Sequence, residues 1–126
     1  MKISCGTDII EIERIKEAIE KTGDKFINEI YTPKEIAYCE SKKNAKYEHY
    51  AARFAAKEAV FKAVSNFLED KYDITWKNAE VINQKNGKPQ INWVSVSFPQ
   101  IESMDISISH CKKYASANVT ILYKEK

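Results

Sequence analysis

Glu58 and Lys62 lie four residues apart in Ala51-Ala52-Arg53-Phe54-Ala55-Ala56-Lys57-Glu58-Ala59-Val60-Phe61-Lys62-Ala63, a run of strong helix formers with no glycine or proline. That spacing puts them one helical turn apart, so a carboxylate and an ammonium project side by side from a rigid rod. Such a pair suits a site where the carboxylate holds a cation and the lysine neutralises charge on a departing phosphate. It equally suits an exposed ion pair that stabilises a helix by about 0.2–0.5 kcal/mol and does no chemistry. At about 100° per residue the run divides into two faces. Ala52, Ala55, Ala56, Ala59, Val60 and Ala63 make one, small enough for a neighbouring backbone to come close. Arg53, Phe54, Lys57, Glu58, Phe61 and Lys62 fall on the other. The alanine face indicates a helix packed inward, with its charges beside two phenylalanines.

The elements around this helix follow from local signals. Met1 to Ile10 reads as a strand, with Asp8 between Thr7 and Ile9-Ile10. A helix is expected from Glu11 to Thr22, ended by Gly23. Ile12, Ile15 and Ile19 mark its inward side, and Arg14, Ala18, Lys21 and Lys25 form a stripe that is a solvated face or a docking surface for an acidic protein. Phe26 to Tyr31 reads as one or two helical turns. Thr32-Pro33-Lys34-Glu35 is a capping signature opening a helix to about Cys39. Lys42, Lys43 and Lys46 sit in a polar connection, and the long helix is expected over Tyr47 to Phe67. Beyond Asp73 the period changes to that of strands: Ile74-Thr75-Trp76, Ala79 to Asn83, a turn at Asn86-Gly87, a return over Lys88 to Val94, Asp105 to Ser109, and Ala115 to Tyr123. Helices first and antiparallel strands second, with one strand at the start, is an α+β order.

The chain has 126 residues, which predicts one domain over 1–126. An apolar fraction of 44% with 30% charged residues is that of a soluble globular protein. A formal charge of +2 does not announce nucleic-acid binding, and no apolar run approaches a membrane span. Cys5, Cys39 and Cys111 show no CxxC spacing, so a reducing cytoplasm fits better than a disulfide framework or a zinc site. The opening Met1-Lys2-Ile3-Ser4-Cys5-Gly6 is too short and polar for a signal peptide.

Four segments together resemble a known family. Gly6-Thr7-Asp8-Ile9-Ile10-Glu11-Ile12-Glu13-Arg14 is similar to the opening motif of the holo-acyl-carrier-protein synthases, the short class of 4'-phosphopantetheinyl transferases. The stretch from Arg53 to Ala63 resembles their second motif nearly residue for residue, and Asn86-Gly87-Lys88-Pro89 and Ser107-Ile108-Ser109-His110 followed by Tyr114-Ala115 resemble the remaining two. The resemblance implies a 4'-phosphopantetheinyl transferase-like fold, with a long central helix packed on an antiparallel sheet. It implies transfer of phosphopantetheine from coenzyme A to a serine of an apo-acyl carrier protein, for fatty acid biosynthesis, with release of adenosine 3',5'-bisphosphate. Asp8 and Glu58 match the family's metal positions, for Mg2+ with Mn2+ as an alternative, and Glu58 is expected to orient a base for the serine proton. Lys62 is expected to stabilise the leaving phosphate. Arg53, Lys57, Lys88, Pro89, Ser109 and His110 are the implied coenzyme A contacts. Arg14 matches the position that meets the carrier protein's acidic helix, and Lys21 and Lys25 extend its stripe by geometry.

Family precedent implies a homotrimer with three active sites at subunit interfaces; a testable consequence is that Asp8 and His110 reach a given site from a different subunit than Glu58. The resemblance departs after Ala63: the family's glycine-rich turn is replaced by Val64-Ser65-Asn66-Phe67-Leu68-Glu69-Asp70-Lys71. Two other readings accommodate the residues alone. One is a metal-dependent phosphohydrolase acting on a nucleotide diphosphate, using the same carboxylates to activate water. The other is a non-catalytic basic-helix module whose binding is indifferent to Glu58.

Overall fold

Alternating residues over Lys2–Glu11 form the first strand, β1, which pairs antiparallel with the last, β5 (Tyr114–Tyr123). β4 (Ile101–His110) pairs with the other edge of β5, giving a three-stranded sheet in the order β1-β5-β4. β2 (Ala79–Asn83) and β3 (Pro89–Trp93) form a separate antiparallel pair. Between β1 and β2 come four helices: α1 (Ile12–Thr22), α2 (Asp24–Ile30), α3 (Pro33–Glu40) and α4 (Lys46–Val64). The structure, a computed structural model, describes residues 1–70 and 73–125; Lys71, which closes the glycine-free segment after α4, is outside that range.

α4 is the axis of the molecule because its small side chains let other elements close on it from two sides. Ala55, Ala56, Ala59, Val60 and Ala63 pack with Val119, Ile121 and Ile106 of the sheet. Ala51, Ala52 and Tyr50 pack with Ile12, Ile15 and Ile19 of α1 and with Tyr31 and Cys39. Gly6 shows how near the sheet comes: a Cβ there would lie 1.9 Å from the carbonyl oxygen of Ala59, so no larger residue fits without moving strand or helix. One step back along β1, Ser4 Oγ donates to the Ala63 carbonyl at 2.6 Å. The expected long helix on an antiparallel sheet is therefore present, as is the division of β5 into a buried face (Val119, Ile121) and an open one (Asn118, Thr120).

Several local expectations are corrected. The long helix ends at Val64 and tightens into a 3-10 turn over Ser65–Phe67. Ile74-Thr75-Trp76 is not a strand: Thr75 is extended only as the cap of a 3-10 turn over Trp76–Asn78, where the Asn78 side chain accepts from the Thr75 N–H at 2.7 Å and closes the backbone. Lys25 does not share a helix with Arg14 and Lys21. Gly23, at φ +58°, turns the chain and caps α1 by donating to the Ile19 carbonyl, so Lys25 belongs to α2. The capping signature at Thr32 is realised in full: Thr32 Oγ1 accepts from Glu35 N, and Glu35 Oε1 accepts from Thr32 N at 2.8 Å. Among the described residues, no helix is long and apolar enough to cross a membrane.

Candidate active site

Because Gly6 brings β1 onto α4, the next residue on the same face, Asp8, arrives beside the last turns of that helix. Lys62 Nζ donates to the Thr7 carbonyl at 2.8 Å and lies 3.3 Å from Asp8 Oδ1. Asp8 and Glu58 line one cavity of about 420 Å³, together with Arg14, Ile15 and Ala18 of α1, Phe26 of α2 and Phe54 of α4. Partial burial raises the Glu58 carboxyl above its ordinary range, the Asp8 charge pushes it the same way, and Lys62 opposes both. A half-buried Glu58 carboxylate beside the Asp8 charge forms a site that a cation relieves. The structure brings Asp8 together with Glu58 and with Lys62, which lies 54 residues on in the chain, and adds Arg14 at the rim.

This donor set fits a hard divalent ion of the magnesium type, which takes one or two carboxylates and completes its shell with waters and phosphate oxygens. No group of three or more His, Cys, Asp or Glu side chains able to hold a metal occurs among the described residues. The chain thus offers a pair of oxygen ligands rather than a closed cage. Asp8 and Glu58 belong to one chain's cavity, which corrects the expectation that they reach a site from different subunits. The reason is steric: the strand carrying Asp8 docks on the helix that carries Glu58.

The expected coenzyme A residues separate into three places. Lys88 and Pro89 line another cleft, between β3 and β4, where Lys88 Nζ lies 2.9 Å from Asp105. Ser109 and His110 are exposed at the end of β4, and His110 Nδ1 lies 3.7 Å from Glu48 in the first turn of α4. Arg53 is buried, stacks on Tyr38 with its guanidinium carbon 3.8 Å from the ring centroid, and donates to Asn83 Oδ1 at 2.6 Å. Its Nε is buried without a partner among the described residues.

Lys57 requires the clearest correction. It is fully buried, and its ammonium is bonded to Glu35 Oε1 at 2.8 Å and to the carbonyls of Trp76 and Ala79 at 2.8 and 2.9 Å. Burial pulls its pKa below the usual lysine range and Glu35 opposes that pull. An ammonium has three donors, and all three are used within the chain, so none remains for a coenzyme A phosphate.

Arg14, Lys21 and Lys25 are all exposed, the first beside the cavity and the others beyond it on two helices. Sequence reasoning missed Phe26 and Phe54 as cavity walls, and read Glu35 only as a cap. The available signal for Glu35 was a capping glutamate followed by a charged residue facing inward from the alanine helix, a pairing that becomes visible only with both helices in place.

The fold and site can be set beside known proteins. The family model for the 4'-phosphopantetheinyl transferase superfamily matches residues 4–119. The chain is 41% identical to the holo-[acyl-carrier-protein] synthase of Ruminiclostridium cellulolyticum, over 96% of this chain and 92% of that one. Among solved structures it is similar to a holo-(acyl-carrier-protein) synthase from Bacillus anthracis in complex with coenzyme A, with a TM-score of 0.76 and 34% identity over 94% of each chain. It is also similar to the Helicobacter pylori holo-[acyl-carrier-protein] synthase in complex with coenzyme A, with a TM-score of 0.78 and 27% identity, covering 94% of this chain and 99% of that one.

Proposed function

The chain belongs to the 4'-phosphopantetheinyl transferase superfamily, and from that premise we propose that it transfers the 4'-phosphopantetheine of coenzyme A to a serine of apo-acyl carrier protein, serving fatty acid biosynthesis. This is the reaction of a holo-[acyl-carrier-protein] synthase, the name its relatives carry. The observation that carries the mechanistic reading is the convergence of Asp8 and Glu58 at one cavity, with the Lys62 ammonium beside Asp8.

The serine oxygen of the carrier protein forms a bond to the phosphorus that bears the pantetheine arm. The bond from that phosphorus to the bridging oxygen breaks, and adenosine 3',5'-bisphosphate leaves with the electron pair. Glu58, its basicity raised by burial and by Asp8, takes the serine proton directly or through a water it orients. A magnesium ion held by Asp8 and Glu58 would neutralise the diphosphate and favour attack. Lys62 is half-exposed and one turn beyond Glu58, so it can exchange its bond to Asp8 for a bond to the departing phosphate. Arg14, with Lys21 and Lys25 behind it, presents positive charge to an acidic helix of the carrier protein.

The site is completed by a second subunit. In one chain Lys88, Pro89, Ser109 and His110 lie outside the cavity that holds Asp8 and Glu58, which supports a site to which another copy brings them. Supporting this, the face of the three-stranded sheet turned away from α4 is uncovered: Ile3 and Ile9 on β1 are 68% and 67% exposed and Tyr114 on β5 is 45% exposed. Apolar side chains in that position favour self-association, here as a homotrimer. The single domain of 1–126 thus supplies one part of each site. Free thiols at Cys5, Cys39 and Cys111 support action in the cytoplasm. Mixing Glu58→Gln with His110→Ala subunits should recover part of the activity that neither variant has alone. Recovery no greater than the sum of the two would mean that each site is built from one chain.

Intact-mass measurement on apo-acyl carrier protein with coenzyme A and magnesium tests the function directly. The expected gain is one phosphopantetheine, abolished by a chelator. Release of adenosine bisphosphate with no labelled carrier protein would instead identify a phosphohydrolase.

A further inference from the structure

We propose that Lys57 is a positioning residue for the transfer reaction: by binding the carbonyls of Trp76 and Ala79 it holds the Trp76 ring across Phe54 and Phe61, the wall against which the Glu58 carboxylate is oriented. The inference rests on the reading of Glu58 as the group that accepts the serine proton.

The connection from α4 to β2 carries Trp76 to the helix surface, and Lys57 grips both ends of its 3-10 turn, at Trp76 O (2.8 Å) and Ala79 O (2.9 Å). Glu35 holds the ammonium in place from the third side at 2.8 Å while also accepting from the N–H groups of Thr32 and Val81. Three elements, α3, α4 and β2, thereby meet on one buried ion pair. The neighbouring carboxylate Glu80 accepts from Thr32 Oγ1 and from Asn92, tying β3 to the same cluster.

A pair of this kind contributes little net stability compared with apolar residues of similar volume. What an apolar replacement lacks is the ability to hold two carbonyl groups at one point. The consequence of holding them is visible one residue along the helix. Trp76 stacks on Phe54, with ring centroids 4.9 Å apart at 27°, and meets Phe61 edge-on at 5.0 Å. Phe54 and Phe61 are the residues four before and three after Glu58, its neighbours on the helix surface. Phe54 lines the cavity with Glu58, and Phe26 stacks behind it at 6.5 Å. Lys57 therefore acts on Glu58 through Trp76 and the two phenylalanines, without touching the substrate.

The test compares Trp76→Ala, Trp76→Phe and the double variant Glu35→Gln/Lys57→Met, which removes both partners of the ion pair and leaves Glu80 its bonds from Thr32 and Asn92, with Glu58→Gln as the control. Turnover and the KM for coenzyme A are measured by mass, alongside the circular dichroism spectrum of each protein. Trp76→Ala and the double variant should lose about 100-fold in kcat, as misplacement of a reacting group does, with KM for coenzyme A unchanged. Trp76→Phe, which keeps a ring in the stack, should recover most of the loss. A wild-type kcat in Trp76→Ala, or a loss in the folded double variant expressed only in KM for coenzyme A, overturns the inference. If the double variant does not fold, the Trp76 pair decides. Full turnover in Glu58→Gln removes the underlying reading and this inference with it; a dead Glu58→Gln beside a fully active Trp76→Ala removes this inference alone.

Discussion

Glu58→Gln is expected to lower turnover by about 10²–10⁴-fold, the usual contribution of a positioned general base, while making the metal-free fold no less stable at neutral pH. The two effects come from one cause. Burial and the Asp8 charge raise the Glu58 carboxyl above the ordinary glutamate value of 4.5. A carboxyl raised on folding binds its proton more tightly in the native state, so its charged form costs stability at every pH above the native value. That cost fades as pH falls between the native value and 4.5, and is gone below 4.5. Glutamine carries no charge at any of these pH values. The variant should therefore unfold at a higher urea concentration than the wild type at pH 7, and the difference should vanish in acid. Urea titrations in chelator at the two pH values, with the carrier-protein mass assay beside them, check both halves. Undiminished turnover, or a variant less stable at pH 7 than the wild type, would count against a strained carboxylate doing the chemistry.

The second large effect is on folding. Glu35→Ala should cost about 3–5 kcal/mol, the loss expected when one partner of a buried ion pair is removed and the other stays charged. Glu35 and Lys57 are both fully buried, so no water replaces the missing carboxylate. The same substitution also strips the N–H groups of Thr32 and Val81 of their acceptor. Adding Lys57→Met should restore a good part of the loss, since the stranded ammonium leaves with it. Equilibrium urea unfolding of the single and double variants measures this. A cost for Glu35→Ala within the ~0.5 kcal/mol of an ordinary surface change would show that the pair is not closed in solution.

What the amino-acid sequence determined by itself is the chemistry along each element. The spacing of Glu58 and Lys62 places them one turn apart on any α-helix, and the alanines of α4 require close neighbours whatever those neighbours are. The capping box at Thr32 and the β5 alternation are equally local, set by backbone geometry within a few residues.

Tertiary structure alone decided which charges face water. Lys57 and Glu58 are adjacent in sequence, on the half of the helix that reads as polar. Yet α3, the Trp76 turn and β2 close over Lys57 and leave Glu58 beside a cavity. A helix repeats every 3.6 residues and so presents some face to every direction, but it carries no information about where the next element packs. The same reason separates Lys25 from Arg14's helix and puts Asp8 on the chain that supplies Glu58. In each case the outcome was set by contacts between residues distant in the chain, between strand and helix at Gly6 and between helix and turn at Lys57.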